Sequence, residues 1–195
     1  MKTITILAVM MLGALGAFAQ FSQGRMMVGG SAEFSTETEK RKSGGTSVTQ
    51  GRWTSFSLAP RFGYFVIDNL AVGAGLGLSL AKWADDADND DDYTYTSIQF
   101  QPFVRYYLPQ GIFFQGQVGI GSSNYNYNNT TDYKSGVASI ALSAGYALFL
   151  SDNVAVEPLI GYRSTSSKNK QTEVKDIDSG IFLQIGFQIY LGNKE

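Results

Sequence analysis

The sequence predicts an all-β chain: an eight-stranded antiparallel up-and-down transmembrane β-barrel behind an N-terminal signal peptide. Three observations point there. The 195 residues are 44% hydrophobic yet only 16% charged, whereas a soluble domain carries about a quarter charged residues. Apolar side chains recur at every second position through most of the chain, the period of a strand with one buried or lipid-facing side. Short turns alternate with longer polar segments, so consecutive strands read as hairpins.

Met1 to Gln20 has the three parts of a secretory signal: Lys2 as the positive end, Ile4 to Gly16 as the apolar stretch, and Ala17-Phe18-Ala19 as a small-x-small cleavage site. The apolar stretch is shorter than the roughly 20 residues of a spanning helix. The expected division is residues 1–19 as signal and 20–195 as a barrel domain.

The first strands are expected over Met26 to Phe34 and Thr54 to Phe65. The third, Leu70 to Ala81, sets Leu70, Val72, Leu76, Leu78 and Leu80 against Ala71, Gly73, Gly75, Gly77 and Ser79. The fourth sets Ile98, Phe100, Pro102, Val104, Tyr106 and Leu108 against Ser97, Gln99, Gln101, Phe103, Arg105 and Tyr107. In the fifth, Ile112, Phe114, Val118 and Ile120 oppose Phe113, Gln115, Gln117, Gly119 and Gly121. The sixth runs from Ala138 to Leu148 and the seventh from Val154 to Ser164. The eighth is the most regular, Ile181, Leu183, Ile185, Phe187, Ile189 and Leu191 against Phe182, Gln184, Gly186, Gln188 and Tyr190. Most reach the roughly 9 to 11 residues that a tilted strand needs to cross a bilayer, and an even number closes without a free edge.

Tight turns are expected at Ile67-Asp68-Asn69, Pro109-Gln110-Gly111 and Ser151-Asp152-Asn153, with centres at 68, 110 and 152 that fall 42 residues apart. Longer polar loops are expected over Ser35 to Gly51, Ala84 to Asp92, Tyr125 to Ser135 and Thr165 to Asp178. A soluble lipocalin-like barrel would share the alternation, but its polar face would meet water and be rich in Lys and Glu. Here that face is Gly, Ser, Ala and Gln, which suits a narrow filled interior, and the charges gather in the loops. Aromatics suggest two interfacial girdles. Phe34, Trp53, Trp83, Tyr93, Tyr95, Tyr125 and Tyr127 would form the loop-side girdle, and Tyr64, Tyr106, Phe114 and Tyr146 the turn-side one.

The stretch Pro102-Phe103-Val104-Arg105-Tyr106-Tyr107-Leu108-Pro109 before a Gly-containing turn, the hairpin series and the terminal Gly186-Phe187-Gln188-Ile189-Tyr190-Leu191 resemble the small bacterial outer-membrane β-barrel family. Its members are the OmpA-like and OmpX-like proteins of the porin-family outer-membrane β-barrel domain, and the resemblance covers essentially the whole chain after the signal. It implies the bacterial cell outer membrane, with turns periplasmic and loops extracellular. It also implies outer-membrane lipid and lipopolysaccharide as surroundings, the barrel-assembly machinery as a partner during biogenesis, and a monomer. The terminal strand departs from the usual assembly signal, which ends in an aromatic, because Gly192-Asn193-Lys194-Glu195 follow it.

The charges inside strands are the candidate functional residues. Parity sends Arg25, Arg61, Arg105 and Glu157 into the lumen near the turn side. Since a buried charge is strongly disfavoured unless paired, one cluster is expected there, with Gln115, Gln117, Gln184 and Gln188 as partners. Glu33 and Arg163 lie inward nearer the loops and are expected to make a second pair. The network reads as a plug that fixes barrel shape, the alternative being a narrow anion path in which three Arg face one Glu. Arg52 and Lys82 point outward at the loop-side ends of adjacent strands, a site for lipopolysaccharide phosphates or for ordinary snorkelling.

Asp85, Asp86, Asp88, Asp90, Asp91 and Asp92 make an acidic loop. It lacks the Gly and the distant Glu of an EF-hand, so it reads as solvated and no metal is assigned. Asn128-Asn129-Thr130 matches a glycosylation pattern of no weight in this setting. Function divides between a structural or surface-interaction protein and a narrow channel for ions or very small solutes. With no His and no Cys, the usual bases and thiol nucleophiles are missing, which argues against an enzyme. The net charge of -2 gives no case for nucleic acid, and no cofactor is called for.

Overall fold

The computed structural model describes residues 21–43, 46–85, 93–127, 130–170 and 173–192; the expected signal peptide and its cleavage site lie outside them. These residues form nine strand segments: β1 (Met26–Ser43), β2 (Thr46–Ile67), β3 (Leu70–Asp85), β4 (Tyr93–Tyr107), β5 (Ile112–Tyr127), β6 (Thr130–Tyr146), β7 (Leu148–Ser151), β8 (Val154–Asn169) and β9 (Lys175–Leu191). Every neighbouring pair is antiparallel, from β1–β2 through β5–β6 to β8–β9. β6 and β7 both lie along β8, so the two segments make one wall, and β1 pairs with β9 to close the ring. Nine segments thus form a closed eight-strand antiparallel barrel.

The sixth expected strand is broken at Ala147, and the cause sits in its neighbour. The last β6–β8 pair is Gly145↔Leu159 and the first β7–β8 pair is Leu148↔Val156, which brackets Pro158. Proline offers no N–H to the ladder. Two other prolines leave similar gaps: β2–β3 pairing skips Pro60 between Leu58↔Leu78 and Arg61↔Gly75, and β4–β5 pairing skips Pro102 between Phe100↔Ile120 and Phe103↔Gln117.

On the loop side the hairpins run further than the alternation predicts. β1 and β2 reach Ser43 and Thr46, so most of the expected loop at Ser35 to Gly51 is paired strand. The segments at Tyr125 to Ser135 and Thr165 to Asp178 are likewise shortened by β5, β6, β8 and β9. Beyond the bilayer neither face is apolar, so the period-2 signal ends while the ladder continues through Ser, Thr and Tyr. On the turn side Asn69 takes φ 64 and Gly111 φ 87, the left-handed conformations such tight turns use.

Burial alternates with the pleat and is inverted relative to a soluble domain. In β4, Arg105 and Tyr107 are 0% exposed while Tyr106 between them is 46% exposed. The outer face carries Phe62, Val72, Leu76, Ile98, Phe100, Val104, Ile120 and Leu142, all exposed. An apolar belt of this extent is far larger than a water-soluble surface tolerates and is what a lipid-facing wall requires. The inner face keeps room for rings by using glycine. A Cβ on Gly73 would lie 2.6 Å from the Phe103 ring, and one on Gly145 2.4 Å from that of Phe113.

Candidate functional site: the lumen

The turn-side half of the lumen is buried and densely packed. Phe21, Met27, Phe65, Phe103, Tyr107, Phe113 and Tyr190 are buried together with Ala71, Ala147, Ala155 and Leu159. Phe21 precedes the first strand and enters the barrel from below. Its ring stacks on Tyr107 with centroids 4.0 Å apart and also packs against Phe65, Phe149 and Tyr190. The short segment behind it is tied to the β2–β3 turn. The Asn69 amide donates to the Phe21 carbonyl at 2.7 Å, the Gln23 amide to Asp68 Oδ1 at 2.8 Å, and the Gly24 amide to the Phe65 carbonyl at 2.9 Å.

Above this apolar layer lies a charged one. Arg105 Nη1 and Glu157 Oε2 are 2.6 Å apart, at 0% and 1% exposure. The carboxylate also accepts from Tyr190 Oη at 2.6 Å and Tyr107 Oη at 3.2 Å, and the two phenol oxygens are 2.9 Å from each other. Arg105 donates Nε to Gln115 Oε1 at 2.9 Å and Nη1 to Tyr107 Oη at 2.8 Å, and its Cζ stands 4.1 Å from the Phe113 ring centroid. Such a pair survives burial only because nearly every polar atom is answered. Arg61 joins from β2, donating to Gln115 Oε1 at 3.3 Å, and Gln115 passes a bond on to Gln117 at 3.0 Å.

Of the residues expected inside, the structure brings Arg61, Arg105, Glu157, Gln115 and Gln117 into one network. Arg25 is buried but sits at the turn-side rim, where it donates to Asn153 Oδ1 at 3.0 Å and to the Tyr190 carbonyl at 3.1 Å. Gln188 is buried between β1 and β8, and Gln184 bonds Ser31. Tyr107 and Tyr190, which complete the carboxylate's shell, were not singled out from sequence, although both lie on the inward parity of their strands.

The loop-side half of the lumen holds a cavity of about 380 Å³, bordered among others by Ser31, Glu33, Ser57, Arg61, Ser79, Gln101, Gln117, Ser143, Arg163 and Gln184. Glu33 and Arg163 share this cavity, but no ion pair joins them among the described residues. The Arg163 guanidinium instead stacks over Phe182, with Cζ 4.4 Å from the ring centroid. The expected second pair is therefore loosened: Glu33 and Arg163 make no direct contact, but they face the same water-accessible space and Glu33 is the carboxylate whose charge acts on Arg163.

The loop-side girdle is also corrected. Trp83, Tyr93 and Tyr125 share the inward parity and form a ladder around the mouth, with centroids 5.2 Å and 5.6 Å apart, rather than facing lipid. Tyr64, Tyr106 and Phe114, at the turn side, do face outward. Arg52 and Lys82 are exposed on the outer face, one pairing step apart: Arg52 opposes Ala84, and Lys82 opposes Thr54. Residues 86–92 of the acidic loop and the asparagines at 128–129 lie outside the described residues. Within those residues no three His, Cys, Asp or Glu groups converge on a metal position.

No curated protein matches the chain. The fold is similar to the crystal structure of the outer membrane protein OprG from Pseudomonas aeruginosa, at TM-score 0.48 and 12% identity over 90% of this chain and 100% of that one. It is also similar to the solid-state NMR structure of outer membrane protein AlkL in lipid bilayers, at TM-score 0.45 and 14% identity over 90% of this chain and 93% of the other. A sequence model described as the outer membrane protein beta-barrel domain matches residues 68–194.

Proposed function

The chain belongs to the outer membrane protein beta-barrel domain family, a protein of the bacterial outer membrane, and we propose that its role there is structural or surface-interacting, with no conducting path through the lumen. The observation that supports this is the pair of stacked layers on the turn side. Phe21, Phe65, Tyr107 and Tyr190 fill one level, and Arg105 with Glu157 fills the next, all at 0% or 1% exposure. An eight-strand barrel has space for little beyond its own side chains, and here those side chains are bonded to one another across it.

In this reading the turns are periplasmic and the loops extracellular, residues 20–195 are the exported domain, and the barrel inserts as a monomer through the assembly machinery. Arg52 and Lys82 meet lipopolysaccharide phosphates at the outer leaflet. The barrel is not an enzyme in this reading, since among the described residues the one buried carboxylate, Glu157, is held by an arginine and two phenols and faces no activated nucleophile.

The second reading, a narrow channel for ions or very small solutes, is favoured by the polar loop-side cavity with Arg61 and Arg163 on its walls. Planar-bilayer recording of the purified protein separates the two. The proposed role expects no steady unitary conductance; reproducible anion-selective steps would establish the channel instead.

A further inference from the structure

The barrel's closing seam is paired over only part of its length. β1 and β9 are in register from Met26↔Leu191 to Gly30↔Phe187 and no further. Both strands continue well past that point on their other edges, β1 along β2 to Ser43 and β9 along β8 to Lys175. The split begins where Gly30 takes φ 152, a conformation open to glycine and strained for other residues. A Cβ there would also lie 2.4 Å from the Ala59 carbonyl oxygen. Opposite Gly30 stands Pro60, with no N–H to hold the strand in line. β1 therefore turns away from β9 midway up the wall, leaving on the loop-side half a slot in the backbone ladder that the Gln184 to Ser31 side-chain hydrogen bond crosses near its lower end.

Unpaired strand edges are not tolerated against lipid unless they border a water-filled space, and such a space lies behind this one. The cavity described above is bordered by Ser31 and Glu33 on β1 and by Phe182 and Gln184 on β9. It is also bordered by Ile181 and Leu183, whose parity is that of the outer wall and which are 77% and 76% exposed. Leu58 and Leu78, also of outward parity, border it in the same way where β2 and β3 are paired, so the cavity touches the strand backbones at the slot. A second barrel is a poor occupant, because walls tilted by about 35–45° in two upright barrels cross where they touch and cannot continue one ladder. The charges at the cavity, Arg61 and Arg163 against Glu33, sum to one positive. Arg163 is stacked on Phe182, and among the described residues Glu33 acts on its charge from beyond ion-pair reach.

We propose that this slot and cavity form a binding site for a fatty acid. The carboxylate sits in the cavity against Arg163, with Arg61 at the floor, and the acyl chain leaves between β1 and β9 past Ile181 and Leu183 into the loop-side leaflet. A volume of about 380 Å³ is within the range of small-molecule sites, and a single anionic head matches the net charge. The site goes beyond the role proposed above and stands or falls separately, since a barrel that conducted could still bind at its side.

The test uses the full barrel in phosphatidylcholine nanodiscs and a stearate carrying a nitroxide near its methyl end. The expected result is a saturable immobilised component in the spin-label spectrum, displaced by unlabelled stearate and not by lysophosphatidylcholine. Arg163→Gln is expected to weaken it about tenfold, the loss of one hydrogen bond to a charged group. The chain has no cysteine of its own, so a Phe34→Cys, Leu183→Cys variant can be bridged across the slot with a bismaleimide. Binding should persist in the unbridged variant and vanish on bridging, which controls for folding. No immobilised component, equal binding by Arg163→Gln, or binding unaffected by the bridge would overturn the proposal. Displacement by lysophosphatidylcholine would overturn the assignment to a fatty acid in favour of a membrane lipid.

Discussion

Replacing Glu157 by Gln removes one charge from the centre of the barrel and changes little else in shape. Arg105 then remains at 0% exposure with only neutral partners, Gln115 Oε1 at 2.9 Å and Tyr107 Oη at 2.8 Å, and the Phe113 ring 4.1 Å from its Cζ. Breaking one side of a buried pair costs about 3–5 kcal/mol. The low end applies here, because the Gln carbonyl can still accept from one of the two phenols, so about 3 kcal/mol is expected. With a urea slope of about 2 kcal/mol/M, that is a fall of about 1.5 M in the unfolding midpoint. The assay is urea unfolding of the detergent-refolded barrel, followed by the gel mobility that distinguishes folded from unfolded barrels. Arg105→Met is expected to cost a similar amount by stranding the carboxylate. The double variant should cost clearly less than the sum, with a coupling of at least about 2 kcal/mol. A Glu157→Gln cost below about 1 kcal/mol, or strictly additive singles, would refute the claim that this pair is a buried and mutually dependent unit.

Phe21→Ala is expected to cost about 3 kcal/mol in the same assay, the usual toll for emptying a buried aromatic site. It should leave the barrel non-conducting, because Phe65, Tyr107, Tyr190 and the Arg105–Glu157 layer stay in place; steady current in this variant would show that Phe21 alone closes the lumen. The Arg52→Ala, Lys82→Ala double variant should carry less lipopolysaccharide through purification at unchanged stability, and an unchanged ratio of lipopolysaccharide to protein would count against the contact. Intact mass of the barrel extracted from outer membranes should correspond to a chain beginning at Gln20; a mass that includes residues 1–19 would contradict cleavage after Ala19.

What parity can convey is the side of the wall on which a residue lies, and what it cannot convey is which residues share a height across the lumen. Arg105 and Gln115 sit equally far from the turn at 110, so their adjacency follows from counting along one hairpin. Arg105 and Glu157 stand on β4 and β8, which share no turn. Their contact depends on the stagger of the whole closed sheet, which no local pattern records. The same ignorance of stagger hides the gap between Glu33 and Arg163, which face one cavity and act on each other without touching while Arg163 stacks on Phe182 of its neighbouring strand.

Phe21 gave no periodic signal because it precedes the first strand, and its role is visible only once Tyr107 is seen stacked on it. The seam is the opposite case, since the alternation from Met26 to Phe34 runs straight through Gly30. A pleat keeps its phase through a bend, so a strand can leave its neighbour without disturbing the pattern that predicted it. The signals that did exist were the residues least suited to a strand, Gly30 facing Pro60 and Pro158 beside the break at Ala147. In a barrel wall, where an unsatisfied ladder costs more than in water, such residues mark where the wall departs from a closed cylinder. That is why the candidate fatty-acid site lies beside Gly30 and not beside the charged loops.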